Sequence, residues 1–221
     1  MSWESSAEYD RLINQETKRR LGGHQNARSI LVTVNFAEVE RLQHCGDWQK
    51  LGEILAGAAQ QLERGGADMV VLCTNTMHKL AESITDSVRI PMLHIADAVA
   101  HAIRESGQRQ VGLLGTRFTM EQSFYGDRMR ERFGIETIVP SPADRQVVHD
   151  TIYNELCHGV IRKESREAFQ QIIARLAAAG AESVILGCTE IGLLISQSDA
   201  CLPVHDSTLI HANAAVEFAL A

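Results

Sequence analysis

Two cysteines stand in matching surroundings. Val70-Val71-Leu72-Cys73-Thr74-Asn75-Thr76 and Val184-Ile185-Leu186-Gly187-Cys188-Thr189-Glu190 each run a short apolar stretch into Cys-Thr. In open α/β sheets, sites form at the carboxyl ends of strands. A Thr directly after each Cys is expected to cap a following helix. That would set free N–H groups and a positive dipole end beside each sulfur. Such a setting lowers a thiol's pKa from about 8.5 and also suits a bound carboxylate. Two thiols facing opposite sides of a ligand fit one kind of reaction. One thiolate removes a proton from a stereocentre and the opposite thiol returns one to the other face. Configuration is inverted, and the two groups exchange roles in reverse. Zinc is a poor rival, because strong zinc signatures pair ligands at C-x-x-C or H-x-x-H spacing. A disulfide between these two is also poor, since sulfurs flanking a substrate lie too far apart.

Weaker candidates surround them. Thr116, Arg117 and Thr119 follow an apolar run at a strand-to-helix turn, a usual anion-binding place. His78 falls about one helical turn beyond Thr74, close enough in sequence to tune Cys73. His94 and Asp206 follow short Pro-initiated strands and are expected to fix loops. Cys45, Cys157 and Cys201 read as small buried hydrophobes.

The elements that must position these residues alternate between apolar runs and amphipathic stretches, the pattern of an α/β protein with parallel sheets. The strand candidates are Ser29–Phe36, Met69–Leu72, Val111–Gly115, Ile135–Val139 and Val184–Leu186. The helix candidates are Glu8–Arg20, Trp48–Arg64, Ala96–Glu105, Met120–Phe133, Arg166–Ala179 and Leu209–Leu220.

The chain also repeats itself. The segment from Leu62 to Thr74 aligns with that from Leu176 to Thr189, with one extra residue in the second copy. Ile90-Pro91-Met92-Leu93-His94 echoes Leu202-Pro203-Val204-His205-Asp206, and Ser2-Trp3-Glu4-Ser5-Ser6 echoes Thr119-Met120-Glu121-Gln122-Ser123. The offset stays between 112 and 117 residues through all three blocks. This predicts two pseudo-symmetric three-layer α/β domains, 1–96 plus 208–221 and 97–207, with the site in the interdomain cleft. The repeat exposes a gap, for nothing in the first half matches Val111–Gly115. A first half without that strand is expected to be poorly stable and weakly active.

Composition agrees with an ordinary globular chain: 221 residues, 45% hydrophobic, 22% charged, 16 Gly and 4 Pro. A net charge of −7 argues against a general nucleic-acid or anionic-membrane binder. No apolar run reaches the roughly 18 residues of a membrane span, and Met1-Ser2-Trp3-Glu4-Ser5 has no signal-peptide character. Five cysteines without a C-x-x-C pair suggest free thiols in a reducing cytoplasm.

Cys73-Thr74-Asn75-Thr76-Met77-His78 and Gly187-Cys188-Thr189-Glu190-Ile191 resemble the paired signatures of the aspartate/glutamate racemases. Met1-Ser2-Trp3-Glu4-Ser5 is similar to the segment after the Gly-Leu-Leu-Gly-Gly opening of that family's bacterial amino-acid racemase branch. The resemblance covers essentially the whole chain. It implies a two-domain α/β fold, often a homodimer, that racemises an amino acid such as aspartate or glutamate without pyridoxal phosphate or metal. It further implies Cys73 and Cys188 as the proton donor and acceptor pair. Thr74, Asn75, Thr76, Thr189 and Glu190 would hold the substrate's α-carboxylate and amino group, with Met1 and Ser2 alongside. Arg41 aligns with an Arg that holds the side-chain carboxylate in aspartate-specific relatives. Two features depart from the pattern. The Gly-Leu-Leu-Gly-Gly strand is absent, and Cys157 in Glu155-Leu156-Cys157-His158-Gly159 stands where some relatives carry Lys. The alternatives are another reaction of the superfamily, such as hydantoin racemisation or maleate isomerisation, and a ligand-binding form impaired by the absent strand.

Overall fold

A computed structural model describes residues 2–221, so Met1 lies outside the described residues. The chain falls into two compact units. The first runs up to Cys73 and adds Met77–His94 and Ala212–Ala221; the second comprises Thr74–Thr76 and Ile95–His211.

The first unit carries helices α1 (Trp3–Leu21), α2 (Phe36–Cys45), α3 (Trp48–Arg64) and α4 (Ala81–Thr85). Two short strands, β1 (Val70–Val71) and β2 (Met92–Leu93), pair in parallel. Helix starts follow local chemistry, with an orphan N–H satisfied by a short polar side chain. Ser2 accepts from the Ser5 amide, Asn35 from Ala37 and Asp47 from Lys50. Gly46, at φ 75°, supplies the left-handed residue that ends α2. Residues around β1 alternate between two faces, as the pleat requires. Val70 and Leu72 join a core with Leu51, Leu55 and Ile84, whereas Val71 and Cys73 pack against Tyr9, Leu12 and Ala212.

The second unit holds a four-stranded parallel sheet in the order β4-β3-β5-β6. Its strands are β3 (Gln110–Gly115), β4 (Glu136–Ile138), β5 (Ser183–Gly187) and β6 (Val204–Asp206). Its helices are α5 (Ile95–Glu105), α6 (Arg117–Glu121), α7 (Ser123–Phe133), α8 (Pro142–Asn154), α9 (Lys163–Ala178) and α10 (Ile191–Leu194). The last helix, α11 (Ser207–Leu220), begins here. Alternate residues of the central strands again face opposite ways. Leu114, Val184 and Leu186 meet Phe169, Ile172 and Ile173 of α9, while Val111, Leu113 and Ile185 meet Ile95, Val99 and Met129. Helices therefore cover both faces, the three-layer arrangement that buries parallel strands completely.

The Ser29–Phe36 run departs from its sequence pattern. It forms no strand: Asn35 caps α2, Phe36 starts that helix, and Ile30 and Leu31 are exposed. β-branched residues make a strand only where a partner ladder takes up their backbone groups, and β1 pairs with β2 alone among the described residues. The Met120–Phe133 helix is divided by Gln122, which is extended at ψ 145°. α2 and α8 were not among the helix candidates, their apolar positions being too few to set a clear period.

Gly115 and Gly187 are register partners at the ends of β3 and β5. A Cβ on Gly187 would lie 2.8 Å from the Leu114 carbonyl oxygen and 3.0 Å from Leu113 Cδ1. Backbone cannot yield as a flexible side chain does, so Gly187→Ala should force β5 away from β3 and destabilise the unit by about 1–3 kcal/mol. An unchanged thermal midpoint for that variant would contradict the close approach.

Candidate functional site

The parallel register of Gly115 with Gly187 brings two loops to one level at the carboxyl edge of the second unit's sheet. Thr116 follows the first glycine and Cys188 the second. Thr116 caps α6 by accepting from the Thr119 amide. Its hydroxyl also lies 2.9 Å from that of Thr76, which in turn is 3.2 Å from the Thr119 hydroxyl. All three are buried. Beside Thr76, the Asn75 amide donates to Ser207 Oγ at 3.0 Å, and Ser207 Oγ donates to the Leu186 carbonyl at 2.6 Å. Asn75 is thus tethered to β5, the strand that leads into Cys188. Its Oδ1 is buried without a hydrogen-bond partner. Buried polar atoms of that kind are uncommon and call for a partner.

Cys188, Thr189 and Glu190 form the second half of this edge. The Cys188 thiol donates to Glu190 Oε2 at 2.9 Å, and the Thr189 hydroxyl donates to the same oxygen at 2.7 Å. Burial, then the Glu190 charge, pushes the Cys188 thiol well above its ordinary value. In the first unit, Cys73 is half-buried and its thiol donates to the Val71 carbonyl at 3.6 Å. Burial raises it from 9.0 to about 11.

These shifts reverse the expectation of acidified thiols. No helix of useful length begins at either cysteine. Cys73 is followed by a 3-10 turn, Thr76–Leu80, and Cys188 by the four-residue α10, with Glu190 at its N-cap position making no side-chain cap. The N-cap position of α10 falls to Glu190 rather than Thr189, whose hydroxyl donates to that carboxylate. Desolvation therefore outweighs any dipole. The sign has a consequence for Cys73. A thiol buried in its neutral form contributes stability below about pH 9, and that contribution is lost as pH rises through about 11. Iodoacetamide labelling of Cys73 should likewise gain about tenfold per pH unit from neutral pH and still be rising above about pH 9. A plateau near pH 8 would contradict a buried, neutral thiol.

The other candidates are spread along the chain. Thr74 is buried next to Cys73. Ser2 is buried and caps α1. Arg41 lies on α2 and is exposed. Arg117 extends outward to Gln146 Oε1 at 2.8 Å, while its backbone N–H donates to His149 Nδ1 at 3.2 Å. His78 and His94 are buried edge to face, with ring centroids 4.6 Å apart. Asp206 Oδ1 accepts from the Thr208 and Leu209 amides and so starts α11, which fixes that loop. Ser207, the tether of Asn75, was not singled out from sequence; its place directly after the repeat residue Asp206 was the available signal. Among the described residues no cluster of three or more His, Cys, Asp or Glu could hold a metal ion. No helix among them is long and apolar enough to cross a membrane.

Comparison with known proteins gives a consistent result. The family model described as Asp/Glu/hydantoin racemase matches residues 1–215. A crystal structure from Yersinia pestis, provisionally described as an Asp/Glu racemase, superposes with a TM-score of 0.92 at 50% identity. That match covers 100% of this chain and 96% of the other. An aspartate racemase homologue from Pyrococcus horikoshii OT3 gives a TM-score of 0.85 at 33% identity, covering 99% and 95%. The broad specificity amino-acid racemase of Bacillus subtilis (strain 168) is 22% identical over 182 residues, 79% of this chain and 75% of its own length.

Proposed function

The chain belongs to the Asp/Glu/hydantoin racemase family, and we propose that it racemises an acidic amino acid, aspartate or glutamate, by proton transfer at Cα between Cys73 and Cys188. The observation that carries this reading is the Cys188 thiol held on the Glu190 carboxylate, beside the buried hydroxyls of Thr76, Thr116 and Thr119. The Glu190 carboxylate at 2.9 Å orients the Cys188 thiol, and its charge holds the proton on sulfur. The Val71 carbonyl orients the Cys73 S–H in the same way.

The steps follow from these partners. The thiolate form of Cys188 removes the α-proton from one face of the substrate. The protonated Cys73 returns a proton to the other face. The reverse direction exchanges the roles of the two sulfurs. Thr76, Thr116 and Thr119 supply hydroxyl donors for the α-carboxylate, on which charge builds as the α-proton leaves, and the unpartnered Asn75 Oδ1 accepts from the substrate's amino group. Thr74 completes that set, and Thr189, with its hydroxyl on Glu190, helps to hold that carboxylate beside the substrate's amino group. Arg41 is assigned to the side-chain carboxylate, for which a planar guanidinium is well shaped. No cofactor enters these steps.

The test is chiral chromatography of L- and D-aspartate and of L- and D-glutamate, each incubated with the protein and hydroxylamine to trap any pyridoxal phosphate. Conversion of at least one pair in both directions, undiminished by hydroxylamine, supports the reading. Failure to convert either pair would overturn the substrate assignment, and sensitivity to hydroxylamine would overturn the mechanism.

A further inference from the structure

Asn75 and Ser207 are 132 residues apart in sequence and meet within the second unit. Asn75 is 3% exposed and Ser207 is 0% exposed, so water does not compete for their polar atoms. Ser207 is the first residue of α11 and follows Asp206, the register partner of Leu186 in β5. Asp206 Oδ1 accepts from the Thr208 and Leu209 amides at 2.9 and 3.2 Å, which pins the chain through Ser207 to the end of β6. The hydrogen bonds of this trio have one permitted sense. The Leu186 carbonyl only accepts, and Ser207 Oγ lies 2.6 Å from it. The single hydroxyl proton of Ser207 is therefore committed to Leu186, and Oγ is left as an acceptor. The group 3.0 Å away must then be the NH2 end of the Asn75 amide. An amide turned the other way would set two oxygens together with no proton between them. The same constraint leaves Asn75 Oδ1 as the buried atom without a partner. A buried acceptor of this kind welcomes a donor and rejects another acceptor.

We propose that Ser207 is a positioning residue that locks the Asn75 amide with Oδ1 as the acceptor, and so selects ligands carrying an α-ammonium over those carrying a 2-oxo group. That the donor is a substrate's ammonium rests on the racemase reading above, whereas the lock rests on the Leu186, Ser207 and Asn75 chain alone. An α-ammonium brings a proton to Oδ1. A 2-oxo acid of the same length brings a carbonyl oxygen, which leaves Oδ1 unpaired against a second acceptor. A site that hydrogen-bonds a ligand's donor rejects the analogue without one for this reason. Ser207→Ala removes the atom that holds the NH2 end of the amide. The amide can then turn over and offer either end, so the two ligand classes should be told apart less well. Ser207→Thr keeps the hydroxyl and should keep the preference.

The experiment titrates the wild type, Ser207→Ala and Ser207→Thr calorimetrically with DL-glutamate and 2-oxoglutarate, and with DL-aspartate and oxaloacetate. The ratio of dissociation constants within each pair measures the preference. The wild type should favour the amino acid, Ser207→Ala should narrow that preference by about 10–100-fold, and Ser207→Thr should restore it. A Ser207→Ala change that weakens both members of a pair equally, or neither, would overturn the proposal, because loss of packing alone moves them together. The lock is read separately by NMR of the ligand-free protein. One side-chain amide proton of Asn75 should exchange slowly with solvent in the wild type, and at least about tenfold faster in Ser207→Ala. Fast exchange of both protons in the wild type would overturn the lock even where a variant fails to fold. Wild-type protein that binds neither amino acid would refute the substrate reading, while a protected Asn75 proton in the same sample would still support the lock.

Discussion

Cys188→Ala and Cys73→Ala are each expected to lose racemisation in both directions, by at least the 10²–10⁴-fold or so that a positioned acid or base contributes. Removing one sulfur leaves a proton that can be taken or returned on one face only, so neither enantiomer can complete its inversion. The two variants should differ in what survives. A single Cys→Ser variant keeps one thiol and can still exchange the α-proton of one enantiomer with solvent, and the surviving enantiomer should be opposite for the two positions. Loss of Glu190 removes the carboxylate that accepts the Cys188 thiol. Chiral assay of both variants from both enantiomers checks this, and full activity in Cys188→Ala would exclude a two-base reaction.

The largest stability effect is expected at Phe169. It is fully buried on α9, within the cluster against which both Cys157 and Cys188 pack. Phe169→Ala removes a ring from a close-packed interior and should cost about 3–5 kcal/mol. That is a large share of the roughly 5–15 kcal/mol by which domains are stable. Phe218 on α11 is 51% exposed, so Phe218→Ala should change stability by only about 0.5 kcal/mol. Hydrogen exchange of the β5 amides reads the difference in the second unit itself. Equal protection in the two variants would mean that the ring is not central to that core.

The parallel sheet around Cys188 was legible because its strands carry their own signal. Val111–Gly115 and Val184–Leu186 are apolar on both faces and bounded by polar residues, and they become the fully covered β3 and β5. Trp48–Arg64 reproduces α3 residue for residue. Ser29–Phe36 misled for a physical reason: β-propensity states how a residue fits a ladder but not whether a partner strand is there. The candidate site was read as residue types at matched positions in the repeat. Its electrostatics were not. A Thr after a Cys suggests a cap, but desolvation and the charge of Glu190 depend on what folds over the sulfur.

The two-thiol mechanism is tested most directly by proton NMR of L-aspartate and L-glutamate in D₂O with the wild-type protein. With the returning proton drawn from solvent-equilibrated Cys73, the α-proton signal of a substrate should vanish as the D-enantiomer appears, each product molecule carrying deuterium at Cα. An α-proton signal that survives while the D-enantiomer accumulates would mean that one proton is carried from face to face, and that result would contradict two separate thiols.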